Sequence, residues 1–166
     1  MKLEIVRMVL GPLQNNVYLL ADNNSKEAVI IDPSFEPERQ LEEIQRRGWK
    51  LTQIWLTHGH FDHVGGLLAD GKAVFPKAII YIATRDIATF DDKALAAVPA
   101  DIKPYVEPAN RVLKAYAGKI KSFEPGAHIA DGITSVDLSG HTPGQTGYMV
   151  ESEGQKFFMF GDLLHI

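Results

Sequence analysis

The sequence predicts a mixed α/β (α+β) fold, and three observations carry that expectation. Short apolar stretches at strand spacing fill residues 3–32 and return over residues 133–160. Between them, residues 34–48 carry helical spacing. After a further apolar stretch, residues 57–63 read Thr-His-Gly-His-Phe-Asp-His, which sets three of the protein's six histidines beside a carboxylate.

Taken in order, residues 3–9 alternate as a strand with one wet face, and Gly11-Pro12 stops it. Residues 17–21 and 28–32 are two more strands joined by Asp22-Asn23-Asn24-Ser25, a hairpin turn by composition, so the chain should begin as an antiparallel sheet. In the helix over 34–48, Pro37 suits a first-turn position, Leu41 and Ile44 share a face, and Gly48 closes the end. Glu42 and Arg46 are an i,i+4 pair on its solvated side. Residues 53–57 read as a buried strand, residues 64–68 as the start of a helix, 78–82 as an apolar strand and 84–90 as a helix. Residues 91–118 show helical spacing at Tyr105, Val112 and Tyr116, with Pro99, Pro104 and Pro108 expected to divide them into short pieces. Strands at 133–138, 146–151 and 156–160 follow, the last two turned at Glu153-Gly154.

Composition narrows the class. At 166 residues, 45% hydrophobic and 23% charged, the chain is expected to fold as one globular domain over residues 1–166. A net charge of −4 argues against a nucleic-acid partner, and the absence of cysteine excludes disulfides. Lys2, Glu4 and Arg7 interrupt what would be the apolar core of a signal peptide, and no run approaches the ~20 apolar residues of a membrane span. A soluble, cytoplasmic protein with no membrane partner is the expectation.

The histidine run points to a metal. Imidazole and carboxylate at this density are what a borderline cation such as zinc or iron takes as ligands. His58 and His60 leave a strand end at period two, so they can share one ion, whereas Asp62 and His63, adjacent at a helix start, can face a second. The competing reading is a set of surface or capping histidines, with Asp62 as an N-cap.

These residues resemble the signature of the metallo-β-lactamase-fold hydrolases. Gly140-His141-Thr142-Pro143-Gly144 is similar to the second metal motif of that family, and Gly161-Asp162 to its bridging-aspartate turn. The part through Gly66 looks more like the glyoxalase II type thioesterases; from Leu67 onward the chain looks more like lactonases and methyl-parathion-hydrolase-like enzymes. The resemblance implies an αββα sandwich that is C-terminally incomplete. Typical members continue past the bridging aspartate to a final histidine ligand, and Ile166 comes before that point. A homodimer, or a complementing C-terminal fragment, is therefore expected, with Phe157-Phe158-Met159-Phe160 left as an edge.

Carried over residue by residue, the resemblance implies that His58, His60 and His141 bind a first ion, that Asp62 and His63 bind a second, and that Asp162 bridges them. Two zinc ions are expected, with iron or manganese as alternatives. A metal-bound hydroxide would then cleave a small-molecule substrate, an ester, thioester or lactone, and Asp62 would also handle a proton. His165 stands where lactonases place a substrate-touching tyrosine. Asp32, before Pro33, reads as a turn former, although the family's aspartate at this place lies near the metals. Thr57 and Thr142 read as supporting or turn residues, His128 as a lone loop histidine, and Gln145 replaces a second histidine that is not generally a ligand. The excursion over 91–118 is either core packing by Phe90, Tyr105 and Tyr116 or a substrate lid. Two alternatives remain beside the hydrolase: a mononuclear iron enzyme of the persulfide dioxygenase type using His58, His141 and Asp162, and a non-catalytic metal-binding fragment.

Overall fold

The computed structural model describes residues 2–164. The chain opens with β1 (Leu3–Leu10), β2 (Asn15–Asp22) and β3 (Glu27–Ile31), paired antiparallel in sequence order. It crosses through α1 (Pro37–Arg46) to β4 (Lys50–Trp55), which joins β3 in parallel. The short helix α2 (Phe61–Val64), a 3-10 turn (Gly65–Leu67) and a small ribbon of β5 (Leu68–Ala69) and β6 (Lys72–Ala73) follow. Next come β7 (Ile79–Ala83), parallel to β4, then α3 (Thr84–Phe90), α4 (Asp92–Ala97) and α5 (Lys103–Ala115), and β8 (Ile120–Phe123), parallel to β7. The resulting first sheet has the order β1-β2-β3-β4-β7-β8. A second, antiparallel sheet of β9 (His128–Ala130), β10 (Ile133–Asp137), β11 (Thr146–Ser152) and β12 (Gln155–Met159) has the order β12-β11-β10-β9.

The first sheet is buried on both faces, and the alternation of its strands shows which residue serves which layer. Leu19, Ile30 and Ile54 face the helices together with Ile44, Val106, Val112 and Tyr116. Their sequence neighbours Leu20, Ile31 and Trp55 face the second sheet, against Ile133, Tyr148 and Val150. Each fully buried aliphatic or aromatic side chain contributes about 1.5–3 kcal/mol relative to exposure, so the two layers fix which way every strand presents its ends. Helix, sheet and sheet are thus stacked in the order of a metallo-β-lactamase sandwich, a mixed α/β architecture as the sequence predicts. Among the described residues no helix is long and apolar enough to cross a membrane.

The chain begins antiparallel through β3, as expected, and β4, β7 and β8, each reached by a crossover, then join in parallel. Three expectations need correction. The helix expected over 34–48 covers Pro37–Arg46; Glu36 before it holds a left-handed conformation with φ 57°. Residues 64–68 do not start a helix: His60 precedes a short one at Phe61, and the chain then tightens and turns at Asp70-Gly71, both at positive φ. Pro108 does not divide its segment. Pro104 lies in the first turn of α5, where a missing N–H costs little, and Val106, Ala109, Val112 and Tyr116 bury one face, which offsets the ladder bond lost at Pro108.

Of the aromatics in that excursion, Phe90 and Tyr116 are core residues, while Tyr105 is exposed and packs on Phe61 at 5.7 Å between ring centres. The Tyr116 hydroxyl accepts from the Phe75 amide at 3.1 Å and donates to the Leu67 carbonyl at 3.2 Å, anchoring α5 to the ribbon segment.

Candidate metal centre

Histidine and aspartate side chains gather where β4 ends and where loops follow β10 and β12. Trp55 closes β4; the chain then runs through buried Leu56, Thr57 and His58 to His60, which stands at the N-terminus of α2. The Tyr148 hydroxyl donates to the Leu56 carbonyl at 2.8 Å, and the Thr146 amide to the Thr57 carbonyl at 2.8 Å. These bonds sew the first histidine loop to the second sheet. Asp162 arrives in the 3-10 turn Gly161–Leu163. A Cβ on Gly161 would lie 2.6 Å from Thr57 Oγ1, so only glycine, which also tolerates its φ of 52°, lets this turn close on the site.

Two groups of potential ligands converge, each with donor atoms within 4.8 Å of one another: His58, His60 and His141, and His58, His63 and Asp162. In the first, ring centres are 4.6–4.9 Å apart and His60 Nδ1 lies 2.9 Å from His141 Nε2. Asp162 stands between the groups, Oδ1 3.1 Å from His63 Nε2 and Oδ2 3.3 Å from His141 Nε2. Asp62 flanks the second group, Oδ2 3.5 Å from His63 Nε2. His58 belongs to both groups, through the one nitrogen it can offer. His165 lies outside the described residues, and His128 is exposed on β9, away from these side chains.

Hydrogen bonding fixes how the imidazoles present themselves. Asp32 is 4% exposed and at φ 49°; its carboxylate accepts from the Thr57 amide (2.7 Å) and the Thr57 hydroxyl (2.6 Å) and lies 3.1 Å from His63 Nδ1. Thr57 spends its single proton on Asp32, so its oxygen accepts from His58 Nδ1–H at 3.1 Å, which leaves His58 Nε2 unprotonated. That nitrogen is buried and has no hydrogen-bond partner. An orphaned lone pair 3.7 Å from Asp162 Oδ2, among other imidazoles, fits a cation.

Electrostatics agree. Burial and the neighbouring imidazoles push the basicity of His58 down, and burial and His141 do the same to His60, so both resist protonation. Burial would also lower His63, but Asp32 and Asp162 outweigh it and raise its pKa to about 10. Burial works to raise the Asp162 carboxyl, and His63 prevails to hold it well below the usual range. The site favours positive charge even where a proton is what supplies it.

Sequence reasoning favoured the turn role for Asp32 and missed Asn15, Ser34 and Asp86. Asp32 is both a turn residue and a support of the site. Asn15, at the start of β2, donates from Nδ2 to Asp62 Oδ2 at 3.0 Å, and Ser34 donates to the Asp62 carbonyl at 2.5 Å. Asp86 on α3 is fully buried beneath the histidine loops. Asp32-Pro33 offered a signal in the sequence; Asn15 and Asp86 offered none, being 47 and 27 residues from the partners they bond. A separate cleft of about 250 Å³ opens at the far end of the sandwich, between Leu3, Leu20, Trp55 and Ile133, and shares none of these ligands.

Comparison with known proteins places this geometry. An uncharacterized protein of Aquifex aeolicus is 30% identical over 177 residues, 96% of this chain and 71% of that protein. A hydroxyacylglutathione hydrolase of Ruegeria pomeroyi is 45% identical over 56 residues, 33% of this chain and 21% of its own. Among solved structures, the hydrolase AbOPH of the beta lactamase superfamily superposes with a TM-score of 0.73 at 27% identity, over 90% of this chain and 56% of that one. The chain thus spans little more than half of that structure, and its match covers about a fifth of the hydroxyacylglutathione hydrolase. The family model of the metallo-beta-lactamase superfamily matches residues 10–166, and the chain belongs to that superfamily.

Proposed function

We propose that this chain carries the centre of a metal-dependent hydrolase that uses two ions, zinc by preference, to cleave a small ester, thioester or lactone. The observation that supports it most directly is Asp162, held between two convergent ligand groups that share His58. His58, His60 and His141 would hold one ion and His63 and Asp62 the other, with Asp162 contacting both. Bound there, the ions would polarise a scissile carbonyl and lower the pKa of water. The protein's own residues do the rest. Asp32 and Thr57 set the tautomers that turn Nε2 of His58 and His63 inward, and Asn15 holds Asp62 Oδ2 where it can take a proton from water and return it to a leaving group. The similarity to a hydroxyacylglutathione hydrolase and to AbOPH supports the reaction class.

The test is metal analysis of protein purified without added zinc, followed by assays of the same preparation on p-nitrophenyl acetate, a lactone, a thioester and a β-lactam. Two bound ions and preference for the lactone or thioester are expected. A single iron with no hydrolysis, or preferential turnover of the β-lactam, would refute the assignment.

A further inference from the structure

Asp86 takes no part in the ligand groups, yet it connects the two loops that supply the first of them. Its carboxylate is 0% exposed and accepts two backbone amides, Gly59 N at Oδ2 (3.0 Å) and Gly144 N at Oδ1 (2.7 Å). Gly59 sits between His58 and His60, and Gly144 three residues after His141, so one side chain spans the two loops that supply the first ligand group. The fit around it is close: a Cβ on Gly144 would lie 2.5 Å from the Asp86 amide nitrogen, and one on Gly59 would lie 2.5 Å from the Phe90 ring on the same helix. His60 also rests edge-on against Phe90, 6.1 Å between ring centres. A buried carboxylate is costly unless its oxygens are satisfied, and here those bonds run to the backbone of both histidine loops.

We infer that Asp86 is a positioning residue which, by bonding Gly59 and Gly144 together, sets the separation of His141 from His58 and His60 and thereby the affinity and geometry of the first ion site. The inference rests on the metal centre proposed above, and it concerns the loops rather than the ligands themselves. Thr146 also ties the loops through the Thr57 carbonyl, so loss of Asp86 should loosen the site without unfolding the chain.

Cobalt(II) titration of the metal-free protein, read by visible absorption and by competition with a chelator, tests it beside a melting curve of each metal-free variant. Asp86→Asn has one acceptor oxygen for two amides. It should bind cobalt at the first site roughly ten- to a hundredfold more weakly, with weakened ligand-field bands, as changes behind a metal ligand commonly do. Asp86→Ala should lose more. Ile44→Ala, in the helix layer away from both loops, should melt earlier yet keep the wild-type cobalt affinity and spectrum. An Asp86→Asn protein that binds cobalt with wild-type affinity and spectrum, however far its melting temperature falls, would overturn the inference. Should Asp86→Ala fail to fold, the Asn variant decides alone. Wild-type protein that takes up no cobalt would instead overturn the centre, and the inference with it.

Discussion

The half of the centre built from His58, His60 and His141 gathers three imidazoles, whereas the other half sets one imidazole, His63, among Asp32, Asp62 and Asp162. In the first half His58 and His60 resist protonation; in the second His63 holds a proton firmly. Their supports differ as well. The first half is spaced through the backbone, by Asp86 and Thr146 on loop amides and carbonyls, while the second is oriented through side chains, by Asp32 on His63 and Asn15 on Asp62. Affinity in the first half should therefore answer to loop geometry, and in the second to charge.

The largest effect should come from the first ligand group. His58→Ala and His60→Ala are each expected to abolish uptake of the first ion, whereas Asp62→Ala leaves that ion largely bound while removing turnover. Metal content by mass spectrometry on the gel-filtration peak measures this. Equal loss of both ions in Asp62→Ala would contradict the division.

Metal removal comes next. Each ion binds only where the ligands are assembled, so at a hundredfold excess over its Kd it should stabilise the fold by about 2.7 kcal/mol. Denaturant titration with and without a chelator reads that difference. No change in midpoint would mean that the ligands are held equally well without an ion.

The metal-free protein should also expose the contrast through pH. His58 has its folded pKa below the unfolded value of ~6.5, so its stabilising contribution is present above that pH and is lost as pH falls below it. His63 has its folded pKa raised to about 10, so its contribution is complete below ~6.5 and is lost as pH rises from there through about 10. Together they give metal-free protein a stability maximum between two flanks, acid from the first half and alkaline from the second. Asp32→Asn should flatten the alkaline flank alone. Loss of the acid flank in that variant would contradict the division.

Much of this arrangement is legible in the sequence because four of the six candidate ligands, His58, His60, Asp62 and His63, follow one strand end within six residues. His141 and Asp162 are legible as motifs after strands. What holds these residues in place is not, since Asp86 near the start of α3 and Asn15 at the start of β2 look like ordinary surface polar residues until the sheets stack and bury them. The fold shows the same limit. Alternation and turn residues mark β1, β2, β3 and the β11–β12 hairpin, which are stabilised locally, while the run of α5 through Pro108 depends on Tyr116 and Val112 finding the core. Among the described residues β12 is an outer strand, with Phe157 in it 36% exposed and Phe160 just after it 39% exposed.

The smallest expected effect sharpens the comparison most, because it touches the second half through a single neutral hydrogen-bond donor. Asn15 Nδ2 lies 3.0 Å from Asp62 Oδ2 and 3.5 Å from His63 Nε2, and His63 Nε2 faces the same oxygen at the longer distance of 3.5 Å. Removing one such bond costs about 0.5–1.5 kcal/mol, and here the loss falls on the orientation of Asp62 rather than on the charge of the site. Asn15→Ala should therefore lower turnover roughly two- to tenfold, by the same energy, and leave the affinity of the first ion unchanged. Asn15→Ser, with a shorter donor, should fall between the two. Steady-state kinetics on the preferred substrate, with cobalt affinity measured on the same samples, separates the outcomes. Unchanged turnover would mean that Asp62 is oriented by its bound ion alone, and weakened binding at the first site would mean that the two halves are coupled through β2.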